Sequence, residues 1–299
     1  MDLCNLSVIR DLMRDAGITF RKEFGQNFLI DRRVPEAIAD ACTDRAESMI
    51  LEIGPGVGCL TQELALRYRR VVAVEIDRGL IPVLEKTMAE YDNVRIVNDD
   101  VMKTDLGALI AAESGGLPVS VCANLPYYIT TPILMRLLES GIPFESVTVM
   151  VQKEVADRLA AAPGSPDYGA ITAIIGYYGS VRKLFRVPGG CFTPAPKVDS
   201  AVVRIDLYRE KPVCPKDEAL FRGVIAGAFE MRRKTLCNAL GAKFPRFTKE
   251  EIAGAIRAIG REPTVRGECL STAEFVALAD ALTKEADALT KEADALTKE

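Results

Sequence analysis

Ile50-Leu51-Glu52-Ile53-Gly54-Pro55-Gly56-Val57-Gly58 is the stretch on which the fold turns. A short apolar run enters a turn with glycine at every second position, and an amphipathic segment, Leu60–Tyr68, follows. Glycines in such a turn let the backbone approach a ligand at the carboxyl edge of a sheet. A dinucleotide fingerprint would carry its third glycine where Cys59 stands. The turn alone also suits a merely structural role, so its surroundings decide its meaning. Further apolar runs follow at Val71–Ile76, Val94–Val97, Val119–Ala123 and Val147–Val151, separated by helical patterns such as Leu80–Tyr91 and Pro132–Glu139. Short β-branched runs alternating with helices predict buried parallel strands with right-handed crossovers, in a doubly wound, Rossmann-like α/β sheet.

Beyond that sheet a helical stretch, Tyr168–Tyr178, precedes two strand candidates, Val181–Val187 and Ala201–Leu207, which read as a closing antiparallel hairpin. Pro212 and Pro215 mark a linker. Helical patterns at Glu218–Gly241, Lys249–Ile259 and Ser271–Ala281 then predict a small helical domain. The expected division is a sheet domain with an N-terminal helical segment over 1–210, a helical RNA-binding domain over 211–281 and a repetitive tail over 282–299. The tail repeats Ala-Asp-Ala-Leu-Thr-Lys-Glu three times from Ala279. Ala279, Leu282, Ala286, Leu289, Ala293 and Leu296 fall at a and d heptad positions, a weak seam that reads as a solvated helical extension.

Composition narrows the chemistry. The chain has no histidine, which excludes Ser-His-Asp and Cys-His catalysis and a histidine base. Its eight cysteines form no Cys-x-x-Cys pair, so they read as reduced thiols and no metal site is expected. No apolar run is long enough for a membrane span, and Met1–Gly17 is charged throughout, unlike a signal peptide. A cytoplasmic protein is expected. The net charge of −4 argues poorly for a nucleic-acid partner, but Ala279–Glu299 carries most of it, with three lysines against three aspartates and three glutamates. Basic clusters stand elsewhere: Arg21-Lys22, Arg32-Arg33, Arg69-Arg70 and Arg232-Arg233-Lys234. Local patches count for more than the total.

The strand ends carry the candidate site. Glu75 closes the second strand about twenty residues after the glycine turn and can accept hydrogen bonds from both hydroxyls of a ribose. Asp100 follows the third strand and can meet an adenine amine, or equally cap a helix. Asn124-Leu125-Pro126-Tyr127-Tyr128 follows the fourth strand at the same sheet edge. An exocyclic adenine amine is a poor nucleophile because its lone pair is delocalised into the ring. The Asn124 side-chain oxygen and the Pro126 carbonyl can hold its hydrogens and favour a pyramidal nitrogen, while Tyr127 stacks on the base. The same residues also suit a turn that starts a helix before Thr130.

With these motifs in view, the chain resembles the ribosomal RNA adenine dimethyltransferase family. The resemblance runs from Phe24-Gly25-Gln26-Asn27-Phe28-Leu29 to about Leu278. It includes Gln152-Lys153-Glu154-Val155-Ala156-Asp157-Arg158, Tyr168-Gly169 and Phe192-Thr193-Pro194-Ala195-Pro196-Lys197-Val198-Asp199-Ser200. It implies that Asn27 and Leu29 join Gly54, Gly56, Glu75, Asp100 and Asn124 around S-adenosyl-L-methionine, and that Phe192 gives a second aromatic face for the base. It implies a monomeric enzyme that dimethylates two adjacent adenosines near the 3′ end of small-subunit rRNA within an immature small ribosomal subunit. Arg232, Arg233 and Lys234, expected on a helix, would grip phosphates. A large-subunit methyltransferase conferring antibiotic resistance would share the core motifs. The long Phe192–Ser200 signature and the extended helical C-terminal part favour the small-subunit enzyme. A non-catalytic RNA-binding relative fits less well, since the glycine turn, Glu75, Asp100 and Asn124 are intact.

Overall fold

The computed structural model describes residues 1–18 and 27–283. Phe24, Gly25 and Gln26, the pair Arg21-Lys22 and the tail from 284 onward lie outside the described residues. The chain opens with α1 (Leu6–Asp15), β1 (Phe28–Leu29) and α2 (Arg33–Asp40). Strand–helix units follow: β2 (Met49–Ile53) and α3 (Cys59–Ala65), β3 (Arg70–Glu75) and α4 (Ile81–Thr87), β4 (Val94–Asn98) and α5 (Leu106–Glu113), β5 (Val119–Asn124) and α6 (Thr130–Glu139), β6 (Ser146–Gln152) and α7 (Lys153–Leu159). Next come α8 (Ala170–Tyr178), β7 (Gly179–Val187), β8 (Phe192–Thr193) and β9 (Ser200–Leu207). The described residues end in α9 (Glu218–Glu230), α10 (Leu236–Lys243), α11 (Lys249–Ala258) and a helix over residues 272–283.

These elements fall into two units. The first comprises residues 1–156 and 180–209. It holds a seven-stranded sheet in the order β4-β3-β2-β5-β6-β9-β7, and a two-stranded antiparallel pair, β1 with β8. Strands β4, β3, β2, β5 and β6 are parallel, and β9 runs antiparallel to β6. The expected α/β class and all five parallel strands are therefore present, and the two late strands do close the sheet. The central strands are apolar because helices cover both faces; every residue of β2 is buried. At the edge, β4 has no buried residue.

The second unit comprises residues 157–179 and the chain from 210. Helix α8, expected with the sheet domain, groups here with the C-terminal helices. Its packing explains why: Thr272 Oγ1 donates to the Ala173 carbonyl at 2.9 Å, and a Cβ added at Gly176 would stand 2.5 Å from that hydroxyl. The Tyr168 ring meets that of Phe229 from α9 at a tilt of 53°, with centroids 5.9 Å apart. The expected single helix over Glu218–Gly241 is broken at 231–235. Met231 leaves helical geometry at φ −119°, ψ 49°, and Thr235 caps a new helix by accepting from the Asn238 backbone N–H.

Candidate active site

Strand order reverses between β2 and β5: the chain builds β3 and β4 outward on one side, then crosses to β5 and β6 on the other. Loops part at such a switch point and leave a crevice at the carboxyl ends of the strands. A cavity lies there. Its walls include Asn27, Phe28 and Leu29 from the N-terminal segment, and Glu52, Gly54, Pro55 and Gly56 from the end of β2. Glu75 and Ile76 follow from β3, and Asn124 through Tyr128 from β5. Gly54, Gly56 and Gly58 all have positive φ, at 70°, 65° and 95°. At Gly58 the positive φ is the main constraint, and a Cβ there would also press on Met88 at 2.8 Å and Thr87 at 3.2 Å.

Glu75 is 4% exposed and held from both sides. Its Oε2 accepts from the Gly56 N–H at 3.1 Å and its Oε1 from the Asp77 N–H at 2.8 Å. Each carboxylate oxygen keeps a further lone pair, so Glu75 is oriented without being saturated. Burial, with the Asp77 charge adding to it, raises its pKa against the opposing pull of the Asp77, Gly56 and Ile76 backbone N–H groups. Glu52 was not anticipated as a site residue. It is 1% exposed, lines the cavity, and its Oε2 has no hydrogen-bond partner. Burial, with nearby Glu75 adding to it, pushes its pKa up to about 8. A pKa raised this far by burial favours the protonated, neutral form of Glu52 near pH 7.

Asn124 ends β5 at the cavity wall. Its backbone is registered against Met150, and Leu125 N–H donates to the Met150 carbonyl at 3.3 Å. Tyr127 also lines the cavity, and its hydroxyl shares a 2.7 Å hydrogen bond with Ser200 Oγ. Burial raises the Tyr127 pKa against the opposing pull of the Ser200 hydrogen bond, so the phenol stays neutral at pH 7. The Pro126 carbonyl departs from expectation. It accepts from Ile129 N–H at 3.2 Å and from Thr130 Oγ1 at 3.2 Å, so both lone pairs are engaged in starting α6. The turn reading applies to Pro126, and Asn124 is left as the candidate amine acceptor of this loop.

Two other expected residues are placed apart from this wall. Phe192 is 3% exposed and packs in the core with Leu29, its register partner across the β1–β8 pair. It presents no open face here, because the short β1–β8 pairing draws its ring inward. Asp100 is not among the cavity-lining residues. Its Oδ1 accepts from Met102 N–H at 2.9 Å, and its Oδ2 lies 3.6 Å from Lys103 Nζ. In the second unit, Arg232, Arg233 and Lys234 are exposed, but in the turn between α9 and α10 rather than on a helix. Arg232 Nη2 donates to the Pro166 carbonyl at 2.7 Å. Besides Glu52, sequence reasoning missed Ile76 and Tyr128, which line the cavity while 50% and 64% exposed. An exposed apolar side chain beside Glu75 offers a flat ligand ring a face, a signal visible only once burial is known.

A family model described as ribosomal RNA adenine dimethylase matches residues 17–278. The chain belongs to the ribosomal RNA adenine dimethylase family. Two similar dimethylase-family relatives are each named ribosomal RNA small subunit methyltransferase A. That of Lachnoclostridium phytofermentans is 47% identical over 269 residues, covering 89% of this chain and 92% of the relative. That of Geobacillus thermodenitrificans is 45% identical over 284 residues, covering 94% and 97%. Among solved structures, the 23S rRNA methyltransferase ErmE superposes with a TM-score of 0.66 at 25% identity, covering 86% of this chain and all of that one. A dimethyladenosine transferase from Plasmodium falciparum gives a TM-score of 0.72 at 24% identity, covering 84% and 95%. The latter bears on the fold, and it agrees with the methyltransferase sheet of this dimethylase.

Proposed function

We propose that this dimethylase transfers methyl groups from S-adenosyl-L-methionine to the exocyclic amines of two adjacent adenosines near the 3′ end of small-subunit rRNA. The observation that carries the reading is the meeting of Glu75 and Asn124 in one cavity at the switch point. The names of relatives 45–47% identical support the small subunit, against 25% for ErmE. We take the substrate to be rRNA within an immature small ribosomal subunit, and the enzyme to act as a cytoplasmic monomer. No helix among the described residues is long and apolar enough to cross a membrane.

The donor set of the cavity fits such a cofactor. Glu75, pinned by two backbone N–H groups, would hold a ribose diol. The unpartnered Glu52 Oε2 and the Asn124 amide offer polar contacts in the same cavity, and Ile76 an apolar face. Asn27, Leu29, Gly54 and Gly56 complete the enclosure. When bound, the cofactor supplies an electrophilic methyl group on a sulfonium. The chain's own part is to position and polarise. Asn124 accepts from the substrate amine and weakens the delocalisation of its lone pair. One acceptor suffices for both rounds, because a monomethylated amine still has one N–H to give. Tyr127 holds the flipped base by its ring. Phe192 can share that role only if its ring is uncovered. The exposed Arg232–Lys234 turn would take phosphates of the rRNA.

The test is mass spectrometry of rRNA after incubation with unmethylated small subunits. Dimethylation of two adjacent adenosines near the small-subunit 3′ end is expected. Methylation of a large-subunit adenine instead would displace the reading.

A further inference from the structure

The Phe192–Ser200 segment ends in a residue that the proposed chemistry leaves unused. Ser200 opens β9, is wholly buried, and shares a hydrogen bond with the Tyr127 hydroxyl at 2.7 Å. Its position is fixed on every side. The β6–β9 ladder runs from Ser146 opposite Asp206 to Gln152 opposite Ser200. The preceding residue, Asp199, is clamped: its Oδ1 accepts from Gly189 N–H at 3.1 Å, its Oδ2 from Arg186 Nε at 2.8 Å, and its carbonyl from Lys153 N–H at 2.9 Å. On so rigid a backbone only χ1 decides where the Ser200 oxygen lies. Tyr127, by contrast, sits in the loop between β5 and α6, half-buried, with its ring at the cavity wall.

We propose that Ser200 is a positioning residue: its hydroxyl anchors the far end of the Tyr127 ring and so sets how well the flipped base is captured. Without the anchor, the ring can rotate away from the wall, and binding must then order it. The inference rests on the reading of Tyr127 as the stacking face. It gives the Asp199-Ser200 end of the motif a task distinct from shaping the fold, because the bond reaches 73 residues along the chain to the substrate loop.

The two partners can be removed separately or together. Tyr127→Phe keeps the ring and leaves the buried Ser200 hydroxyl without its Tyr127 partner, which lowers stability; removing both partners is far better tolerated. Single-turnover methylation is measured against the concentration of unmethylated small subunits, at saturating cofactor, with melting temperature and cofactor affinity alongside. Ser200→Ala, Tyr127→Phe and the double variant should each raise the half-saturating particle concentration by about three- to tenfold, with cofactor affinity unchanged. The double variant should recover melting temperature relative to Tyr127→Phe without recovering capture. Recovery of both together would reduce Ser200 to a packing role and overturn the proposal. So would wild-type capture in both single variants when Tyr127→Ala is impaired. Wild-type capture in Tyr127→Ala would instead remove the stacking reading itself, and the proposal with it.

Discussion

The carboxyl ends of β3 and β4 each carry an acid that a nucleoside ligand can use, yet the fold treats the two differently. Glu75 on β3 is 4% exposed, is held by two loop N–H groups and faces the cavity. Asp100, just beyond β4, is spent on its own turn, with Met102 and Lys103 as partners. The difference follows from strand order. The switch point lies between β2 and β5, so β3 is one strand from it and β4 two. Neighbouring strands are roughly 4.8 Å apart, so the β4 edge starts about 10 Å from β2. Whether an acid at the end of a strand reaches the cavity depends on that distance, and sequence spacing alone does not encode it.

If the crevice at the switch point is where chemistry happens, the largest loss should come from β5, on its very edge. Asn124→Ala removes the proposed acceptor for the reacting amine. Single-turnover rates at saturating cofactor should fall by about 100-fold or more, as for other hydrogen bonds made in the transition state. Cofactor affinity, measured in parallel, separates this from a binding defect. A near wild-type rate would mean that another group activates the amine.

Next in size is the β3 edge. Glu75→Ala should weaken S-adenosyl-L-methionine binding by at least about tenfold, since two charge-assisted bonds of roughly 1.5 to 3 kcal/mol each are lost and water restores part of them. Calorimetry returning wild-type affinity would remove the ribose assignment and level the contrast between β3 and β4.

The β2 edge gives a pH signature. Glu52 has its pKa raised from 4.5 to about 8 by burial, with Glu75 adding to it. Between those values the folded protein keeps a proton that the unfolded chain has released. Stability therefore falls as pH rises through that window and levels off above it. Glu52→Gln cannot titrate, so its stability relative to wild type should improve with pH, by at most about 1.4 kcal/mol per unit. Urea unfolding of both proteins at pH 6 and pH 7 measures this. Parallel slopes would mean that Glu52 stays charged inside the cavity.

Much of this edge was legible in the sequence because it is written in local signals. Apolar runs marked β2 to β6, and the glycine turn, Glu75 and Asn124 each directly follow or end such a run. What escaped depends on contacts between distant segments. The two-residue pairing of β1 with β8, which buries Phe192 against Leu29, has no periodicity to read. The break between α9 and α10 turns on one capping threonine, Thr235, inside an otherwise helical pattern. Glu52 lies within an apolar strand, and only its missing partner distinguishes it. Pro126 was read as an open acceptor, yet the first turn of α6 uses its carbonyl.

The smallest effect is expected where the comparison is most easily broken. Asp100→Asn retains an Oδ1 that can accept from Met102 N–H, so the turn after β4 should survive. It removes the charge facing Lys103, an exposed pair whose loss costs little. Cofactor affinity should then change by less than about threefold, because a surface ion pair contributes roughly 0 to 1 kcal/mol and no cavity contact is lost. Asp100→Ala should instead lower stability by about 0.5 to 1.5 kcal/mol, the usual net worth of one hydrogen bond, again with little change in affinity. Calorimetry and urea unfolding on the two variants separate these outcomes. If Asp100→Asn weakens binding as much as Glu75→Ala does, the ligand extends two strands from the switch point, Asp100 leaves its turn to meet it, and the β4 edge belongs to the site after all.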